Sequence, residues 1–68
     1  RLAISDVGAG VQLCKAALNG ASLNVFINTK LMKDTDVADD MNTRTDELII
    51  RGNQMADEVY DRVMDCVR

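Results

Sequence analysis

Apolar residues recur at Val7, Val11, Cys14, Leu18, Ala21 and Val25, spaced alternately by four and three residues without losing phase. That spacing keeps one stripe on one face of an α-helix. Ser5 is a good N-cap, with Ile4 before it as a staple and Asp6 in the first turn, where the helix dipole favours negative charge. A helix is therefore expected to start at Ser5. Asn19-Gly20 is a competing stop signal, with Ser22 able to cap a further helix. The stripe crosses Gly20 unbroken, so one long helix fits better, and Gly8, Gly10 and Gly20 then each cost it about 1 kcal/mol relative to alanine. Val25-Phe26-Ile27 has strand character, but the chain offers a strand no convincing partner.

The polar run Lys33-Asp34-Thr35-Asp36 predicts a loop ending in competent N-caps, with Asp39 and Asp40 supporting the first turn of the helix that follows. This helix can run through Val37, Met41, Leu48, Met55, Val59, Val63 and Cys66, about 30 residues and roughly 45 Å long. Asp40 with Arg44, Glu47 with Arg51 and Glu58 with Arg62 place an acid four residues before an arginine, the favourable order for helical ion pairs. Gly52-Asn53 is its one internal breaker and predicts a tolerated glycine or a local bend. The expected fold is all-α: long antiparallel helices joined by a loop near residues 30–35, forming part of a larger helical bundle. An isolated coiled coil fits less well, because Thr45, Gly52 and Arg62 interrupt the heptad positions.

Length changes the picture. Folding a chain of 68 residues buries only about 60% of the surface that the unfolded chain exposes, so some partner is expected. Nearly half the residues are apolar, which argues against disorder. A net charge of -3 with scattered lysines and arginines offers no footprint for nucleic acid. No stretch approaches a membrane span, and no signal peptide is visible. The chain starts with Arg1 rather than methionine, which is expected of a processed chain or a piece of a longer one.

Candidate chemistry is sparse. The absence of histidine excludes a catalytic triad and leaves general acid–base work to a carboxylate or lysine. Asp6 and Lys30, near the two ends of the first helix, fit either a pocket or plain cap and surface roles. Cys14 and Cys66 lie on apolar stripes. In a hairpin they stand about 20 Å apart along the axis, too far for a disulfide, so buried free thiols are expected. They do not complete a zinc site, and no metal is expected. Asp34, Asp36, Asp39 and Asp40 fail the calcium-loop pattern, with Asp39 where glycine and Thr45 where glutamate is needed. The methionines read as core fillers. Asn24 and Asn28, four apart amid Leu23, Val25, Phe26 and Ile27, predict amides in an apolar setting, partnered by structural carbonyls or by a polar ligand.

Ser5-Asp6-Val7-Gly8-Ala9 and Leu23-Asn24-Val25-Phe26-Ile27-Asn28 resemble the formiminotransferase-cyclodeaminase and methenyltetrahydrofolate cyclohydrolase family. The intervening Leu18-Asn19-Gly20-Ala21, a loop aspartate at Asp34 or Asp36 and a long charged last helix resemble it too. The resemblance runs strongly from Ser5 to Lys33 and weakly afterward. Thr29, where the family often has leucine, and Val37, near a usual aromatic, depart from it. It implies that residues 1–68 are the C-terminal helical portion of a single cyclodeaminase-like domain in a longer, cytoplasmic, homodimeric enzyme. The substrate implied is a tetrahydrofolate derivative, with no metal. Asn24 and Asn28 are the implied folate-binding residues, with Ser5 and Asp6 as further contributors and the main catalytic acid outside this chain. The alternative is a non-catalytic helical interaction module that dimerises or packs on a protein partner.

Overall fold

The computed structural model describes residues 2–68. Helix α1 spans Leu2–Lys30 and helix α2 spans Thr35–Val67. They pack as a hairpin 51 Å long and 15 by 12 Å across. The all-α expectation holds, and Gly20 and Gly52 are crossed without a break and without positive φ. Segment 23–27, with its strand character, is helical.

The start of α1 differs from expectation. Ser5 is its fourth residue, and the first turn holds no acid. Leu2, Ala3 and Ile4 carry no breaker, so nothing stops backbone hydrogen bonding from extending back past Ser5. At the other end, Leu31 N donates to Asn28 O and Met32 N to Thr29 O, both at 3.1 Å, and the helix tightens to a stop. Asp34 then caps α2, its Oδ1 accepting from Val37 N at 3.1 Å. Asp36 is the first-turn acid, whereas Asp39 and Asp40 lie a turn too far on to meet the dipole, which fades within the first turn.

The helices meet through small residues. A Cβ added to Gly8 would lie 2.9 Å from Val63 Cγ1, and one added to Gly52 would run into the Leu18 side chain. These two glycines let the backbones approach, whereas Gly10 and Gly20 face open space. Among the described residues, the buried apolar core consists of Ala38 and Val63, at 6% and 8% exposure, and no side chain is fully buried. Leu13, Leu23 and Leu31 stay 72%, 61% and 78% exposed. Cys14 and Cys66 are free, as their separation predicts, but both are exposed rather than buried. Of the stripes that carry them, Leu18 and Val63 reach the facing helix, and the cysteines lie to the side.

Asp40 Oδ2 meets Arg44 Nε at 3.1 Å as expected. Among the described residues, Glu47–Arg51 and Glu58–Arg62 do not close to ion-pair distance. Exposed pairs of this kind are worth only about 0.3–0.5 kcal/mol, so their open state changes little.

Gly8→Ala and Gly52→Ala test the close approach. Alanine gains about 1 kcal/mol of helix propensity at an open site, while overpacking costs about 1–3 kcal/mol. Urea unfolding followed by circular dichroism should show a net loss of stability at both positions. A gain at both would mean that the helices stand further apart.

Candidate functional site

The polar groups of α1 fall into two sets. The first faces α2 and pairs with it or with its own backbone. Lys15 Nζ meets Asp57 Oδ1 at 2.6 Å. Asn19 and Asn53 exchange amide hydrogen bonds, Nδ2 of Asn19 donating to Asn53 Oδ1 at 3.2 Å and Nδ2 of Asn53 to Asn19 Oδ1 at 3.0 Å. The Asn53 amide also donates to Ile49 O at 2.8 Å. Ser22, buried, donates to Asn19 O at 2.7 Å. Thr29, only 4% exposed, places its hydroxyl 2.6 Å from Asn42 Oδ1 and 3.1 Å from Phe26 O. Every buried polar side-chain atom among the described residues has a partner. This seam holds the helices in register.

The second set contains the candidates. Ser5, Asp6, Asn24 and Asn28 are all exposed. The Asn28 amide donates to Asn24 O at 2.7 Å, within its own helix, and the Asn24 side chain makes no hydrogen bond among the described residues. The apolar setting expected for the two amides is not supplied by this hairpin, because Leu23 and Ile27 beside them are exposed as well. At 100° per residue, Asp6, Asn24 and Asn28 share the face of α1 that points away from α2, while Ser5 lies toward the seam.

Two open grooves flank the seam. The first, about 440 Å³, is lined by Val7, Val11, Cys14, Gly52, Met55 and Val59 among others, and is almost wholly apolar. A smaller hollow of about 150 Å³ lies further along, lined by Leu18, Ala21, Val25 and Leu48 among others. The stripe seen in the α1 sequence therefore forms one wall of both. The second, about 470 Å³, carries Ser5, Gln12, Tyr60 and Met64. Ser5 is the candidate that touches a groove, and Asp6, Asn24 and Asn28 line neither. Lys30 is exposed at the end of α1. The hairpin thus brings none of the four candidates together with another across the helix pair.

Sequence reasoning missed the seam. Its signal was present in Lys15, Asn19, Ser22 and Thr29, polar residues at helical spacing on one side of the apolar stripe. Among the described residues, no helix is long and apolar enough to cross a membrane.

An all-α hairpin with a polar seam and exposed apolar faces defines a helical packing unit. The family model described as formiminotransferase-cyclodeaminase matches residues 1–47, which takes in all of α1, the loop and the first turns of α2. The chain belongs to the formiminotransferase-cyclodeaminase family, which sets it among folate-related one-carbon enzymes. No curated protein and no solved structure matches it.

The Asn19–Asn53 pair should behave as structural. Removing one partner leaves the other amide short of hydrogen bonds and costs about 1–3 kcal/mol. A cycle of Asn19→Ala, Asn53→Ala and the double variant should give a coupling energy of about 0.5 kcal/mol or more. Strictly additive losses in unfolding would show that the amides do not act on each other.

Proposed function

We propose that the chain is part of a folate-dependent one-carbon enzyme, acting by cyclodeamination of formiminotetrahydrofolate or by hydrolysis of methenyltetrahydrofolate. In the first reaction a folate nitrogen attacks the formimino carbon and ammonia leaves. In the second, water attacks the methenyl carbon and one carbon–nitrogen bond of the bridge opens. Both need positioned groups for proton transfer. The observation that carries the proposal is the family match over residues 1–47, which includes Ser5, Asp6, Asn24 and Asn28.

Asn24 and Asn28 are assigned to the folate site, with Asp6 and Ser5 as further contributors and the main acid outside this chain. Their side chains support this assignment by being available: the seam engages neither Asn24 nor Asp6. The pterin of a folate presents donors and acceptors that an amide can match on both sides. The protein is proposed to act as a cytoplasmic homodimer, with the tetrahydrofolate derivative as substrate and no metal.

A second function has its own observation. The exposed Leu13, Leu31, Leu48 and Met55 suit a non-catalytic module that packs on another protein.

Calorimetric titration of the protein with 5,10-methenyltetrahydrofolate discriminates between the two. Binding is expected, and Asn24→Ala should weaken it roughly tenfold, the equivalent of about 1.4 kcal/mol, with helix content unchanged. No binding of either the methenyl or the formimino derivative would overturn the folate assignment in favour of the module.

A further inference from the structure

Asn19-Gly20 carries a stop signal that α1 overrides. The helix runs through it, Gly20 has no positive φ, and nothing lies within 4 Å of a Cβ added there. Neither a turn nor a close approach accounts for this glycine. The dipeptide does have a reactivity. Asn24, Asn28, Asn42 and Asn53 precede Val25, Thr29, Thr43 and Gln54, and Asn19 alone precedes a glycine. In an open chain a glycine nitrogen can attack the side-chain carbonyl of the asparagine before it, because no Cβ hinders the approach and the backbone turns freely. A β-branched neighbour such as Val25 or Thr29 obstructs both.

The folded hairpin holds the reacting atoms apart in three ways. Helical ψ, about −42°, turns the Gly20 nitrogen away from Asn19 Cγ. The Gly20 N–H is committed to the helical ladder, donating to the carbonyl of Ala16. The Asn19 amide is also pinned from outside α1, its Nδ2 donating to Asn53 Oδ1 at 3.2 Å and its Oδ1 accepting from Asn53 Nδ2 at 3.0 Å. The first two restraints serve any asparagine inside a helix. The third is tertiary and lasts only while α1 and α2 stay together. Among the described residues no side chain is fully buried between them, so local opening is within easy reach.

We propose that Asn19-Gly20 is a latent deamidation site, held closed by the Asn19–Asn53 pair and exposed whenever the middle of the hairpin opens. The Gly20 nitrogen loses its proton to water and attacks Asn19 Cγ. The new C–N bond closes a succinimide ring, and the Cγ–Nδ2 bond breaks to release ammonia. Water then opens the ring. Attack at the side-chain carbonyl leaves aspartate at position 19, and attack at the main-chain carbonyl leaves isoaspartate. Neither product restores the seam. A carboxylate cannot donate to Asn53 Oδ1, so two oxygens face each other where a hydrogen bond stood. Isoaspartate also adds an atom to the backbone of α1, which puts Thr29 out of step with Asn42, its partner at 2.6 Å. Each event weakens the contact that delayed it, and the hairpin loosens in one direction only. None of this depends on the folate assignment.

Timed incubation of the protein in mildly alkaline buffer, followed by intact mass and peptide mapping, tests the site. Folded samples are compared with samples in concentrated urea, and circular dichroism checks the helix content of each. In urea Asn19 should react before any other asparagine, and folding should slow it about tenfold or more, the protection that a local opening equilibrium confers. Asn53→Ala should speed the folded reaction about tenfold and leave the rate in urea unchanged. Asn42→Ala removes a bond of the same seam further along and should speed it less. Gly20→Ala meets no neighbour and favours the helix, so it keeps the fold and should slow the reaction in urea about tenfold. Any one of four results overturns the proposal: first reaction at Asn24 or Asn28, a folded rate equal to that in urea, no acceleration by Asn53→Ala beyond that of Asn42→Ala, or an unchanged urea rate in Gly20→Ala.

Discussion

The close approach of α1 to α2 at Gly8 and Gly52 is the constraint from which the rest follows. With Val63 seated against one glycine and Leu18 over the other, the backbones come near enough for short polar side chains to reach across. Asn19 then meets Asn53 and Thr29 meets Asn42. Each such bond is worth only about 1 kcal/mol net, but the geometry of paired amides is exacting, and a slip of one turn would strand them all. Small residues set the distance, and amides set the register.

The same choice leaves most of the large apolar residues without a place between the helices. In a conventional helix pair the stripe of large side chains forms the contact. Here Val7, Val11, Cys14 and Val25 stand beside it, along an open groove. A core of Ala38 and Val63 cannot offset the conformational entropy of ordering two long helices, which runs to about 1–2 kcal/mol per residue for the backbone alone. Two long helices with so thin a core depend on further packing for their stability.

Much of this was legible in the sequence. The long α1, the loop, the cap at Asp34 and the passage through Gly20 and Gly52 follow from phase and from turn chemistry. Two local features were not. Ser5 has the identity of an N-cap, but capping is decided by whether the residues before it can continue the helix, and Leu2-Ala3-Ile4 can. The stripe through Cys14 was visible, but a stripe shows only which face is apolar, not which neighbour covers it. The thiols consequently lie open on a face that periodicity marks as interior. Of the candidate site, the helix that carries Ser5, Asp6, Asn24 and Asn28 could be read from the chain. The separation of Asp6, Asn24 and Asn28 from α2 could not, because it depends on the glycine contacts, which join residues more than thirty positions apart.

The distribution of amides on α1 bears on function more directly than its apolar stripe does. Asn19 and Asn24 differ by five residues, which rotates them about 140° apart on a helix. Asn19 is held by Asn53, and Asn24 faces away. An asparagine among exposed leucines and isoleucines does nothing for a hairpin: it has poorer helix propensity than alanine and caps no terminus. Its placement makes physical sense once the flank is covered, because a covered amide without a partner would cost several times what an exposed one does. Whatever closes over Asn24 must therefore bring hydrogen-bonding groups with it. A bare apolar helix would not meet that requirement, whereas the folate proposed above would.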